Sequence, residues 1–583
     1  MRITNCAWVG VFALALTTVS CIDDKYDLSD IDTTVRVEVR DLVVPVNIDE
    51  VTLSSVFDLK EGDRIQEVNG EYAVVEDGTF TSEGVEVASA HLGAPAINPT
   101  SNAIAIAGGG GQFDRIPGGV LRVDLLTDPT TIHAEDGSVS SSIVSVSSVG
   151  TRFTLEMELT LGGFEGKLKT FRLKNFQMQM PKGLTLISNE GVYDAATGVY
   201  TAADLQGTGH TLKVNFDVAS ISSEGGALTY SVADDVHKMT FDGEVYLKSA
   251  ELEIVESDLV GGGSTVLPSM MSLDAAYVMT DIDVDTFSGE IYYTMDVSAF
   301  SDIDLSDLPD VLTQEGTNIV LTNPQIYLKV TNPMSAYGVY ATTGLEITAN
   351  RADEASKTFG LDAPGYFTIP GNAGELEYSF CLSPSVPAKP YPGYASATHV
   401  AYTSLSNVLS GNGLPTSLSI EMIEPQLPVQ HVKDFKLGEN LGSVEGRYTF
   451  FAPLALEAGS TIVYTDTEDG WSSETLDKMV ISSLSVSLEV TSDLPLGVEL
   501  TGYAIDVEGN QIGNVEITGA HIPAGAQNLA VTLKTTGEIT RLDGIRFTAE
   551  VKSDNAKDVL APEMGLVLKN IRAKVSGYYE DEL

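Results

Sequence analysis

Apolar and polar residues alternate through most of this chain, and that pattern predicts strands. Ile326, Leu328 and Val330 fall at every second position, as do Leu484, Val486, Leu488 and Val490. Successive side chains on a strand point to opposite faces, so each run makes one buried face and one solvated face. That is the pattern of antiparallel sheets packed on one side. Helical periodicity is scarce; Ser404 to Leu409 is the one short helix expected. Gly, Pro, Asn and Asp bound the alternating runs and favour chain reversal. The expected fold class is all-β, built as tandem antiparallel β-sandwich modules.

Two of these runs read as copies of one unit. Val330-Thr331-Asn332-Pro333 is followed by Gly338-Val339 and then Leu345-Glu346-Ile347. Val490-Thr491-Ser492-Asp493-Leu494-Pro495 is followed by Gly497-Val498-Glu499-Leu500. A turn recurs after each, at Ile369 to Ala373 and at Ile522 to Ala526, and leads to Leu376 to Phe380 and Leu529 to Leu533. A fainter third copy runs from Phe176 to Leu184 and leads to Leu212 to Phe216. A second signature, Gly70-Glu71-Tyr72, Gly289-Glu290-Ile291-Tyr292 and Gly446-Arg447-Tyr448, opens further alternating runs, with a related piece at Ile571 to Tyr579. Solenoid units recur at roughly 20 to 50 residues, so these wider spacings read as whole-domain copies. The expected modules span 41–258, 265–420 and 421–583, with Gly261-Gly262-Gly263-Ser264 as a linker between the first two. The Val330-Thr331-Asn332-Pro333 strand resembles the immunoglobulin-like fold of late-embryogenesis-abundant and water-stress proteins, where an Asn-Pro pair ends a similar strand. The resemblance implies immunoglobulin-like sandwiches.

The first residues carry different information. Arg2, an apolar run from Ala7 to Leu16, and the small residues Thr17, Thr18 and Ser20 form the three parts of an export signal over 1–20. A membrane-spanning helix needs about 20 apolar residues, and this run is shorter. Cleavage before Cys21, with acylation of its thiol, would make Cys21 the lipid carrier and 21–40 a tether. Thr18 stands three before the cysteine, where bacterial lipoproteins usually carry Leu. Cys21-Ile22-Asp23-Asp24-Lys25 resembles the mature start of surface-exposed lipoproteins of the Bacteroidetes. In that group an acidic pair after the lipidated cysteine directs sorting to the outside of the outer membrane, so the resemblance implies that role for Asp23 and Asp24.

Charge narrows the partners. The chain has 82 acidic and 33 basic side chains, a formal net charge of −49. Such a surface repels nucleic acid and anionic headgroups and suits basic partners and weak divalent-cation binding. With 43% hydrophobic residues a core can still form. Cys381 has no cysteine partner once Cys21 is acylated, and its strand-like surroundings predict a buried, inert thiol.

Catalytic motifs do not emerge. None of the seven histidines forms HExxH or a close ligand pair. There is no GxSxG elbow, Walker loop or dinucleotide fingerprint. The expectation is a non-enzyme with no catalytic residues and no bound cofactor. Calcium is the one candidate ion: Asp281, Asp283 and Asp285 share a strand face, and Asp466, Glu468 and Asp469 share a loop. Trp471, in a polar loop, is the candidate ligand-contact residue, either as an exposed platform or as a cap on a sandwich core. Tyr391 and Tyr394, in the proline-rich stretch 384–394, offer another contact surface. The expected function is an outer-membrane-anchored surface lipoprotein acting in binding, adhesion or structure. Its partners would be the membrane, through the lipid, and a protein or glycan at the cell surface. The rivals are a glycan-capture lipoprotein of a nutrient-uptake system, a periplasm-facing envelope or lipid-handling factor, and a hydrolase whose site assembles only in three dimensions.

Overall fold

The computed structural model describes residues 34–44, 50–57, 64–187, 191–297, 300, 302–306, 308–352, 354–535, 537–553 and 558–582. The signal, Cys21, Asp23 and Asp24 lie outside them. Among the described residues the only α-helices are the short Leu53–Phe57, Asp310–Thr313 and Glu474–Asp477, and none is long and apolar enough to cross a membrane. The expected 404–409 helix is a 3-10 turn, Thr403–Asn407, with Leu405 buried. The other regular structure is strand and short 3-10 turns, and the all-β sandwich expectation holds.

The same strand order occurs three times. In the first sandwich one sheet runs Val199–Thr208, Thr170–Gln179, Val236–Val255, Val120–Leu125. Its partner sheet runs Ile143–Gly162, Thr211–Ser222, Leu184–Leu186. The second sandwich repeats this with Glu377–Ser383, Gln325–Thr331, Ser443–Pro453, Glu71–Gly84. Its partner sheet is Ile303–Asp304, Ser417–Met422, Leu345–Asn350, Lys357–Gly360. The third has Leu529–Lys534, Met479–Ser492, Gly565–Glu582, Thr34–Val44, facing Thr461–Glu468, Gly544–Lys552, Gly497–Ile505, Gln511–Ile522. The three sequence copies fall on equivalent strands: 170–179, 325–331 and 479–492 each come second in the shared order of four strands, to which the second sandwich adds Thr398–Ala401 and Ile65–Val68 at its two ends.

The sandwiches are nested. The strands that complete each shared four-strand order appear in reverse order along the chain: 34–44 completes the third, 71–84 the second, with Ile65–Val68 paired outside it, and 120–125 the first. Hydrogen bonding therefore crosses the sequence spans given above. Val39 pairs with Gly577, and Phe80 with Gly446. The Gly261–Ser264 stretch forms a 3-10 turn, after which Met270–Met279 and Ile282–Thr294 return to pair with 143–162. Gln426–Lys436 then pairs with 282–294.

Local chemistry explains the joints. Asn69 and Gly70 both have positive φ (56° and 81°), as the two-residue primed turn between Ile65–Val68 and Glu71–Gly84 requires. Gly446 lies under the Phe80 ring and Gly78 under the Tyr448 ring. A Cβ at either would come within 2.0 and 2.2 Å of ring carbons. In the second sandwich the strand 325–331 ends at Asn332, whose buried amide donates to Val339 O (2.9 Å) and Pro370 O (2.8 Å). Its carbonyl oxygen accepts from the Met334 amide at 2.9 Å. Ser492 stands at the equivalent place in the third sandwich and accepts from the Leu494 amide at 3.2 Å. The Asn332 backbone amide donates to Leu376 O, at the start of the run after the turn, and the Ser492 amide to Ala526 O, at the end of the turn itself. Of the second signature, Gly446 and the 571–579 piece lie on equivalent strands. Gly289 lies on 282–294, which has no such counterpart, and Gly70 lies in the hairpin turn.

Candidate binding groove

A polar side of a sheet is normally solvated, yet on strand 325–331 both sides are buried. Ile326, Leu328 and Val330 face the sandwich core, and Tyr327 on the reverse is 0% exposed. The cover is the proline-rich segment, which lies as a strap across the outer face. Tyr394 packs 4.7 Å from the Tyr327 ring, and Tyr391 lies 5.1 Å from Phe451. The Tyr327 hydroxyl donates to Gln325 Oε1 (2.5 Å) and accepts from the Tyr391 amide (2.9 Å). Lys389 Nζ pairs with Glu71 at 2.8 Å. Tyr391 and Tyr394 therefore spend their rings on this small second core, which also holds Cys381. Burial pushes the Cys381 thiol above its ordinary pKa, so it stays protonated.

Where the strap ends, the outer face opens into a groove of about 390 Å³. Thr79 and Thr81 come from 71–84, Glu445 and Arg447 from 443–453, Lys329 and Thr331 from 325–331, and Glu377 from the next strand. The alternation of each strand puts these polar side chains on the face opposite the core. Thr331 Oγ1 donates to Glu445 O at 3.0 Å and accepts from the Glu445 amide at 2.9 Å. Lys329 Nζ lies 3.6 Å from Glu377 and 5.5 Å from the Tyr394 ring centroid, which brings the strap next to one lining residue. Arg447 is exposed and makes no ion pair or side-chain hydrogen bond among the described residues. The groove thus offers a free guanidinium fork, an ammonium group facing Glu377, threonine hydroxyls and the Glu445 carboxylate. That set suits a polar ligand bearing carboxylate or hydroxyl groups.

The residues singled out from sequence go elsewhere. Trp471 is 8% exposed and packs in the core of the third sandwich with Leu476, Met479 and Ile481. Its ring is an edge cap and presents no open platform. The backbone fixes it there: the Trp471 amide donates to Asp543 O at 2.7 Å, and the Ser472 amide to Asp543 Oδ1 at 2.8 Å. Asp281, Asp283 and Asp285 do share an exposed face, but they tie down a neighbouring segment. Asp283 Oδ1 meets His91 Nδ1 at 2.6 Å, and Asp281 accepts from the Ala94 amide at 2.6 Å. The Asp283 contact holds the His91 imidazole above its ordinary pKa. In the second acidic set Asp466 caps the Thr467 amide at 2.8 Å. Among the described residues no group of three or more His, Cys, Asp or Glu side chains converges to hold a metal ion.

Arg447 was visible in sequence only as part of a repeated Gly-x-Tyr signature. The groove itself depends on which strands lie side by side. Polar side chains at alternate positions, Thr79 and Thr81, Lys329 and Thr331, Glu445 and Arg447, are its one sequence trace.

No family model matches the chain, and no curated protein matches it. Among solved structures, a protein of Parabacteroides distasonis ATCC 8503 provisionally named as secreted aligns over 50% of this chain and 89% of its own, at 14% identity and a TM-score of 0.35. A structure from Sulfolobus Turreted Icosahedral Virus aligns over 78% of this chain and 84% of its own, at 9% identity and a TM-score of 0.11. A tetra-tandem repeat from the extending region of a large adhesion protein aligns over 89% of this chain and 97% of its own, at 10% identity and a TM-score of 0.09. Likenesses at these scores carry no argument about what this chain does.

Proposed function

We propose that this protein is a lipid-anchored, non-catalytic binding protein displayed at the outer membrane. Acylated Cys21 is the anchor, Asp23 and Asp24 direct sorting to the cell surface, and the second sandwich carries the ligand. The observation that carries the binding reading is the groove beside the strap, where Arg447 stands without an acidic partner in a chain this rich in acids. A guanidinium left free in such a chain is available for a carboxylate from outside. The preferred ligand is an acidic peptide segment of a protein partner at the cell surface.

A pull-down from intact cells with the full protein as bait tests this reading. Wild type should capture a partner that Arg447→Ala and Lys329→Ala lose while the fold is unchanged. Capture that is indifferent to both substitutions would remove the groove from the account. Protease shaving of intact cells tests the location, and a protected body would contradict outward display. Glycan capture is the second reading, favoured by the threonine hydroxyls that line the groove. A glycan array that binds wild type and not Arg447→Ala would put it first.

A further inference from the structure

The outer face of the third sandwich departs in charge from the rest of the chain. Arg36, Arg40, Lys534, Lys569, Arg572 and Lys574 are all exposed on it, although acids outnumber bases 82 to 33 overall. Strand register sets them in rows. Lys534, Ser485 and Lys574 lie side by side across three strands, and Thr532, Ser487 and Arg572 form the next row. Hydroxyl residues therefore hold the central positions.

On the equivalent face of the first sandwich, acids stand beside the bases. Arg122 pairs with Glu251 (3.3 Å) and Glu253 (3.1 Å), and Lys174 with Asp204 (2.6 Å). What differs on the third face is the larger set of bases, which outnumber its acids: Glu38 bonds Arg40 at 2.8 Å, Asp41 lies 3.9 Å from Lys574, Glu489 accepts from Asn570 at 2.8 Å, and Glu580 and Glu582 are the register partners of Arg36 and Thr34. Lys534, Lys569 and Arg572 have no side-chain ion pair or hydrogen bond among the described residues. Arg36 lies over the Tyr578 ring, 3.4 Å from its centroid.

We infer that this face docks flat on an anionic lipid surface. Two further observations favour a membrane over other anionic partners. The edge strand of this sheet is Thr34–Val44, so the chain leading back to residue 21 leaves from the border of the basic face. Twelve residues lie between Cys21 and Thr34, and extended chain of that length reaches about 40 Å at most. An acyl chain at Cys21 would thus keep this sandwich within about 40 Å of the headgroups. This second argument rests on the anchor reading; the basic face stands without it. The acidic remainder of the protein does not forbid the contact, because charges beyond about 8 Å are screened at physiological ionic strength. A basic patch also supplies the second attachment that one acyl chain needs for stable anchoring.

The test uses the full chain with Cys21→Ser, which removes the acyl site, sedimented with vesicles. One vesicle set holds phosphatidylcholine alone and the other adds phosphatidylglycerol at about a third of the lipid. The neutral set reports any contribution of the apolar leader. Binding to the anionic set should be at least tenfold tighter and should weaken with added salt. The Lys534→Glu, Arg572→Glu, Lys574→Glu triple variant should abolish that difference, since each basic residue at such a surface is worth about fivefold. Near-ultraviolet circular dichroism checks that the triple variant is folded, and single variants, each expected to lose about fivefold, serve if it is not. Equal binding to both vesicle sets, or anionic binding unchanged within twofold in the variants, overturns the inference. Mass spectrometry of the native N-terminus reports on Cys21 separately, so failure of the anchor and failure of the face are told apart.

Discussion

The second and third sandwiches share a strand order and differ in what lies on the outside of it. In the second, Tyr327 occupies the middle of the outer face and a proline-rich strap closes over it. In the third, the position matching Tyr327 by the shared Val330 and Val490 repeat is Ser487, which is only part-buried. No strap crosses it among the described residues, and Thr532 and Arg572 flank it. The comparison teaches that the repeat specifies the inward face, while each copy's outward residues decide whether that copy gains a second core, a groove or a charged plane. Inward alternation is under the common constraint of burial; the outward set is free to diverge.

The largest effect should come from the position that differs most. Tyr327→Ala removes a fully buried ring and should cost about 3–5 kcal/mol by chemical denaturation, while Ser487→Ala should stay within about 0.5 kcal/mol. Similar losses at both sites would break the contrast. Next come the two strand-ending caps. Asn332→Ala leaves the Val339 and Pro370 carbonyls without their side-chain donor and should lose about 2–3 kcal/mol, whereas Ser492→Ala gives up one bond and should lose about 1 kcal/mol. A reversed order would show that these residues are not equivalent.

The smallest effect is one of pH, on a third kind of outer surface. On the acidic strand 282–294, Asp283 raises the pKa of His91 above its ordinary 6.5. Stability from this contact is fully present below the unfolded value and is lost as pH rises through the raised folded value. A histidine NMR titration should therefore find His91 protonated to higher pH than a free imidazole. Asp283→Asn should bring it back, and an unchanged midpoint in that variant would show that Asp283 is not the cause.

Sequence reading reached the strands, the copies and the inward faces, because a period of two and recurring Pro and Gly turns are local signals. It stopped at partnership. Nothing local to Val37 or Val39 indicates pairing with Tyr579 or Gly577 at the far end of the chain, and each sandwich's first strand of the shared order precedes the modules inserted after it. The same gap hid the groove, whose walls come from four strands. Trp471 sat in a run of polar residues that left an exposed platform and a core cap both open; tertiary packing around the Asp543 turn made it the cap. Tyr391 and Tyr394 looked available for contact because the surface they cover, Tyr327 and Phe451, could not be seen from their own segment.

Nesting is the claim on which the placement of anchor, groove and basic face depends, and cross-linking tests it most directly. Glu38 and Tyr578 are register partners in the third sandwich. In the full chain with Cys6 and Cys21 changed to serine and Cys381 left buried, Glu38→Cys with Tyr578→Cys should form a disulfide within the monomer under mild oxidant, and chemical unfolding before oxidation should suppress it. A folded protein in which those two cysteines stay reduced, or in which residue 38 bridges to the second sandwich instead, would contradict the nested order.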